Sequence, residues 1–112
     1  MANEKYQSCI DACKKMIAAC EACAEACRTE GNAAMMRRCI GLDTDCAEFG
    51  KLAVRFMERD SEYTALICED CGEICRECGD ECSRHNLQHC KDCAQACYLC
   101  MDECLRMSTV PA

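Results

Sequence analysis

Cysteine is the residue type whose abundance and spacing in this chain point most directly to chemistry. The 112 residues include 17 cysteines, well above the roughly 8–10% at which cysteine usage already indicates a special role. A thiolate is both a nucleophile and a ligand for soft metal ions, so the spacing of these residues decides which chemistry they serve.

The cysteines recur at alternating intervals of three and four residues. Two runs in the second half of the chain keep this spacing throughout: Cys68, Cys71, Cys75, Cys78 and Cys82, and then Cys90, Cys93, Cys97, Cys100 and Cys104. The N-terminal run comprises Cys9, Cys13, Cys20, Cys23 and Cys27, with Met16 at the position that completes the pattern. The remaining two are Cys39 and Cys46. Such an alternation places side chains on the face of a helix that meets its partners in an antiparallel bundle.

Turn signals at three places divide the chain into the helices that carry these runs. Gly31-Asn32, Asp60-Ser61 and the segment 84–86 predict helices over residues 4–29, 33–59, 62–84 and 87–107,. Short connections make consecutive helices antiparallel. The sequence therefore predicts an all-α fold: an antiparallel up-down-up-down four-helix bundle with a cysteine-lined core, forming one domain over residues 1–112.

The second helix carries only two cysteines, and its inward face is predicted from the apolar residues around them. The predicted stripe is Met35, Cys39, Leu42, Cys46, Phe49, Ala53 and Phe56. Asp43 lies four residues after Cys39 and three before Cys46. Three roles are open to its carboxylate: bonding to a thiol, taking up a released proton, or lying at the boundary of the bundle, which is the position we expect.

Charge and hydropathy exclude several classes of partner. The formal net charge of −7 argues against a nucleic-acid or anionic-membrane surface. No segment approaches the roughly 18 uncharged apolar residues that a membrane span requires. The N-terminal residues lack the apolar segment of a secretory signal, so we expect a cytoplasmic protein. Thiols stay reduced in that compartment, where dense cysteine patterns indicate metal binding rather than disulfides.

Disulfide, zinc and iron–sulfur chemistry each fit the pattern less well. Helix neighbours three or four residues apart have Cβ atoms about 5–6 Å apart, whereas a disulfide needs about 3.5–4.5 Å. Ferredoxin-type clusters use a looping C-x₂-C-x₂-C-x₃-C-P run that this chain lacks,. Each tetrathiolate zinc site carries two negative charges, which makes several such sites costly to bury in one bundle. A zinc or iron–sulfur protein remains the alternative prediction.

Copper(I) fits the stripes better. It prefers thiolate and thioether ligands and accepts two or three of them. Because a thiolate can bridge two ions, the core can approach one Cu(I) per thiolate and electrical neutrality, which gives roughly 17 ions per chain. The sequence shows no nucleophile–base pair, Gly-rich phosphate loop or paired carboxylates, so no enzyme activity is expected.

The repeated C-x₂-C-x₃-C-x₂-C-x₃-C stripes of the third and fourth helices, with the four-helix length, resemble the bacterial copper storage proteins, in particular their cytosolic branch. This resemblance spans essentially the whole chain. It implies a homotetramer of bundles, each of which binds many Cu(I) ions as cargo. A copper chaperone or a small-thiol donor would supply the ions.

The two ends of the predicted bundle differ in chemistry. One end, which we call the ligand-rich end, gathers Cys27, Met35, Met36, Cys39, Cys82, His85, His89 and Cys90. The other, which we call the aromatic end, gathers Tyr6, Phe49, Ala53, Phe56 and Leu66 as a dry plug. We expect copper to pass the thioethers of Met35 and Met36 and the imidazoles of His85 and His89 on its way to the thiolates. These four residues and all 17 cysteines are the predicted metal ligands.

Overall fold

The computed structural model describes residues 4–30 and 33–109, and in them it confirms the predicted four helices. A 3-10 turn at Glu4–Tyr6 precedes α1 (Gln7–Thr29), which is followed by α2 (Arg37–Glu58), α3 (Thr64–Ser83) and α4 (Gln88–Met107). The largest difference from prediction is at α2, which begins after turns at 33–36. The predicted turn at Gly31-Asn32 lies outside the described residues.

The helices form a rod with principal extents of 46 × 18 × 18 Å. Each helix packs mainly on its two neighbours around the square, α1 on α2 and α4, and α3 on α2 and α4. The order is antiparallel because Cys9, near the start of α1, meets Cys104 near the end of α4, with 3.7 Å between their sulfurs. This arrangement is the predicted four-helix bundle.

The connection from α2 to α3 lies at the predicted turn, Asp60-Ser61. The φ of 51° at Asp60 places this residue in the left-handed conformation that ends α2. Its N–H donates to the Met57 carbonyl at 3.2 Å, and the N–H of Ser61 donates to the Phe56 carbonyl at 3.0 Å, which together are the Schellman pattern of a helix C-terminus. Tyr6 Oη donates to Asp60 Oδ1 at 3.1 Å and thereby ties this turn to the start of α1.

The inward face of α2 is rotated by one residue from the predicted stripe. Its buried positions include Met36, Cys39, Asp43, Cys46, Gly50, Ala53 and Met57. Leu42, Phe49 and Phe56 pack at the flank of the core, and Met35 is 77% exposed. The predicted boundary position of Asp43 is therefore wrong, because this carboxylate is completely buried.

Close helix approach explains why glycine occupies the buried positions 50 and 79. A Cβ on Gly50 would lie 2.6 Å from Met16 Cε and 2.9 Å from Ile17 Cγ1, so α1 and α2 are in contact at this point. A Cβ on Gly79 would lie 2.8 Å from the Tyr98 ring, which packs α4 against α3. Among the described residues, none of the helices combines the length and hydropathy needed to cross a membrane.

Candidate metal centre

All 17 cysteines are free thiols, and all are buried inside the bundle. Sulfur–sulfur contacts between helices run from 3.5 Å, as between Cys46 and Cys75, to 4.0 Å, as between Cys20 and Cys78. A disulfide bond is about 2.05 Å long, so these are non-bonded thiols in contact. The runs spaced by three and four residues thus converge as predicted, and sulfur takes the place of the leucine that fills the core of an ordinary bundle.

The sulfurs form overlapping groups of four along the bundle axis. One group, towards the aromatic end, consists of Cys13, Cys71, Cys100 and Cys104. Another, in the middle, takes one residue from each helix: Cys20, Cys46, Cys78 and Cys97. Within each group the sulfurs all lie within 4.8 Å of one another. Each group therefore offers several thiolates to one ion, or bridging thiolates to several ions.

Asp43 lies among the thiols in the half of the core nearer the ligand-rich end. Its Oδ1 accepts hydrogen bonds from Cys78 at 3.2 Å, Cys93 at 3.3 Å and Cys82 at 3.5 Å. Its Oδ2 accepts a longer one from Cys39 at 3.8 Å. Burial, reinforced by the nearby Cys93 and Cys39, raises the pKa of this carboxyl to about 8. Of the roles left open by the sequence, the structure thus shows bonding to thiols.

Three thiols of the ligand-rich end form a third group with Cys23, which consists of Cys23, Cys27, Cys39 and Cys90. His89 lies against this group, with Nδ1 at 3.3 Å from Cys23 Sγ and 3.6 Å from Cys90 Sγ. Burial raises the pKa of the Cys27 thiol to about 11 and that of Cys90 to about 12. These thiols hold their protons at neutral pH, so a metal ion that binds here must displace them.

A cavity of about 270 Å³ opens at the ligand-rich end. Its lining residues are Cys27, Glu30, Met35, Met36, His85, Asn86 and Leu87. The two methionines differ: Met36 is buried at 5% exposure, whereas Met35 is 77% exposed at the rim. The structure therefore brings His85, His89 and Met36 to the outermost thiols as predicted, and leaves Met35 largely in solvent.

The aromatic end is closed, although by a different set of residues from the one predicted. Tyr6, Ala53 and Met57 are buried there, while Phe56 is only partly buried. Leu66 is 58% exposed and does not belong to the closure.

Cys46 donates from its thiol to Met16 Sδ at 3.4 Å, which places a thioether within the sulfur core at the gap in the α1 run.

The family to which this arrangement belongs is shown by sequence and structure together. A family described as copper storage protein matches residues 2–109. The uncharacterized cysteine-rich protein YhjQ of Bacillus subtilis is 40% identical over 87 residues, which cover 77% of this chain and 81% of that protein. The chain belongs to the copper storage protein family, as the resemblance of its cysteine stripes implied.

Solved structures agree with this assignment. The Cu(I)-bound copper storage protein BsCsp3 from Bacillus subtilis superposes with a TM-score of 0.90 at 38% identity, covering 93% of this chain and 98% of that one. A cytosolic copper storage protein from Streptomyces lividans, in a structure with five coppers, gives a TM-score of 0.92 at 33% identity, with coverage of 99% and 98%. The fold of this chain is thus that of proteins described as copper storage proteins.

Proposed function

We propose that the protein is a cytosolic store for Cu(I), in which bridging thiolates inside the bundle hold many ions per chain. The observation that carries this proposal is the set of 17 buried free thiols, arranged in overlapping groups with sulfurs within 4.8 Å of one another. Family membership and the Cu(I)-bound relative from Bacillus subtilis support it.

The charge of the core favours Cu(I) over zinc. A group such as Cys13, Cys71, Cys100 and Cys104 has the ligand number that tetrahedral zinc requires,. Each filled tetrathiolate zinc site would nevertheless carry two negative charges, and several such sites would share one buried core,. Cu(I) bridged by thiolates approaches one ion per sulfur and therefore neutralises the charge that it creates.

Within this function the ligands divide into two groups. All 17 cysteines act as storage ligands, because every one lies in the sulfur core. His85, His89 and Met36 receive the ion at the ligand-rich end, and Met35 makes the outermost contact, at the rim of the cavity. Thioether and neutral imidazole exchange Cu(I) more readily than a bridging thiolate does, which suits them to transfer rather than storage.

The protein acts as a store rather than a catalyst, and copper is its cargo. We propose a cytosolic location, like that of the cytosolic copper storage protein from Streptomyces lividans, and a homotetramer of bundles. A copper chaperone or a small-thiol complex of Cu(I) supplies the ions at the ligand-rich end.

An anaerobic titration of the reduced apoprotein with Cu(I), against a chromophoric Cu(I) chelator, tests the function. We expect the protein to withhold on the order of 17 ions per chain from the chelator. A parallel titration with Zn(II) should saturate at a few ions, because four thiolates are consumed per site. Withholding of only one or two copper ions, or a coloured iron–sulfur chromophore in the protein as purified, would contradict the proposal.

A further inference from the structure

Each histidine at the ligand-rich end has one ring nitrogen bound to a glutamate. His85 Nε2 lies 2.8 Å from Glu81 Oε2, one helical turn back on α3. His89 Nε2 lies 2.9 Å from Glu30 Oε1, at the residue that follows α1. The two contacts use different helices and unrelated positions in the chain, yet both engage the same nitrogen of the ring.

These contacts fix which nitrogen of each ring carries the hydrogen. A carboxylate oxygen only accepts hydrogen bonds, so Nε2 must be the donor in both pairs. A neutral imidazole then has its lone pair on Nδ1. In His89 that nitrogen faces the sulfurs of Cys23, at 3.3 Å, and Cys90, at 3.6 Å. Its lone pair therefore faces two thiols of the group Cys23, Cys27, Cys39 and Cys90 at this end.

We propose that Glu30 and Glu81 are positioning residues, which hold His89 and His85 in the Nε2–H tautomer and keep each Nδ1 available as a ligand for incoming Cu(I). The proposal rests on the proposed storage function and deepens it at the ligand-rich end. Histidines that bind metals commonly donate their other N–H to a carboxylate, which sets the ring's orientation and raises its basicity.

The two glutamates differ in how firmly they are held. The Glu81 side chain is only 9% exposed, and its Oε1 accepts from Arg38 at 2.9 Å and from Arg84 at 3.0 Å. The hydrogen bond from His85, with help from Arg38, holds the pKa of Glu81 below its usual range. The Glu30 side chain is 45% exposed. Glu30 can therefore be replaced with little risk to folding, whereas Glu81 needs an isosteric replacement.

The tautomers are measured on the reduced apoprotein by ¹⁵N NMR of the histidine rings, which separates a protonated from an unprotonated ring nitrogen. We expect Nε2–H with unprotonated Nδ1 for both histidines in the parent protein. Glu30→Ala should release His89 to a mixture of tautomers and leave His85 unchanged, and Glu81→Gln should weaken the preference of His85 alone. Glu77→Gln is the matched control, since Glu77 contacts Arg38 at 3.6 Å and pairs with neither histidine in the described part of the chain.

Loading kinetics show whether the tautomer matters for copper. With a Cu(I) donor in stopped flow, Glu30→Ala should load several-fold, up to about ten-fold, more slowly than the parent. Total copper per chain should stay the same. In a His89→Ala background the Glu30→Ala change should cause no further slowing, because the glutamate acts through that ring. In a His85→Ala background it should still slow loading.

The outcomes separate this inference from the storage function. An Nδ1–H tautomer in the parent would overturn it, as would a Glu30→Ala variant that loses its tautomer preference and still loads at the parental rate. Slowing that persists in the His89→Ala background would also overturn it, because Glu30 would then act independently of the ring. Failure of the parent itself to take up many copper ions would instead contradict the proposed function.

Discussion

Oδ1 of Asp43 on α2 lies 3.3 Å from the sulfur of Cys93 on α4, across the diagonal of the bundle. Burial raises the pKa of this carboxyl from 3.8 to about 8. Between those values the folded protein keeps a proton that the unfolded chain has lost. The stability that this carboxyl contributes is therefore fully present below its pKa in the unfolded chain, 3.8, and is lost as pH rises through its pKa in the folded protein, about 8,.

The reduced apoprotein should accordingly become less stable as pH rises from about 4 to about 8, by up to about 1.4 kcal/mol per pH unit for this one proton. Asp43→Asn should flatten that dependence and raise the melting temperature near the upper limit. Thermal unfolding across this range measures both effects. Asp45→Asn, at an exposed position of the same helix, is the control and should follow the parent. Parallel curves for parent and Asp43→Asn would show that the carboxyl is not buried in this way.

The ligand-rich end should control the rate of loading rather than the capacity. A variant with His85→Ala, His89→Ala and Met36→Leu should load Cu(I) more slowly yet reach the parental copper content, because the storage thiols are intact. Met36→Leu conserves volume and removes only the thioether. Met57→Leu at the aromatic end is the matched control and should load at the parental rate. Stopped-flow mixing with a Cu(I) donor supplies the rates, and equal rates for variant and parent would reject this route.

Thiols in the middle of the bundle should control capacity. Cys75 lies 3.5 Å from Cys46, and Cys97 lies 3.6 Å from Cys20, measured between sulfurs. Replacing Cys75 and Cys97 by Ala should lower the copper content by about two ions, at one ion per bridging thiolate. The initial rate should not change, because the outermost ligands remain. Total copper per chain, measured after removal of weakly bound ions, decides the matter; an unchanged content would argue against storage at these positions.

Two glycines test the packing that positions the sulfurs. Gly79→Ala should destabilise the apoprotein by about 1–2 kcal/mol, since a new Cβ would meet the Tyr98 ring at 2.8 Å,. That ring also holds a 2.6 Å hydrogen bond to Asp80, which limits its movement. Gly41→Ala, with nothing within 4 Å of the added Cβ, should instead stabilise α2 by about 0.5–1 kcal/mol. Urea unfolding measures both, and a neutral Gly79→Ala would show looser packing of α3 on α4.

The helices and the sulfur core could be predicted from the sequence because three of the four helices carry enough cysteines to define one face. The rotation of α2 about its axis could not be predicted from the sequence. Its two heptad stripes, one through Leu42 and Phe49 and the other through Asp43 and Gly50, share residues 39, 46 and 53. Hydropathy favours the first stripe, whereas the structure uses the second.

Tertiary contacts explain that choice. Gly50 lets α1 approach α2 closely, and the thiols of other helices satisfy the Asp43 carboxylate. The residues that make these contacts, on α1 for Gly50 and on α3 and α4 for Asp43, are far from them in sequence. The glutamates differ in the same respect: Glu81 is one helical turn from His85 and could have been paired with it, whereas Glu30 and His89 are 59 residues apart. Only the fold brings that second pair together.

The position of bound copper within the protein is the sharpest test of storage inside the bundle. Crystals of the reduced protein loaded anaerobically with Cu(I) can be measured on both sides of the copper absorption edge, so that anomalous difference maps locate copper alone. We expect a row of copper sites along the bundle axis, each bound by two or three sulfurs and lying within groups such as Cys20, Cys46, Cys78 and Cys97,. Copper confined to surface carboxylates or to the ligand-rich end, with the interior thiols free of metal, would contradict it.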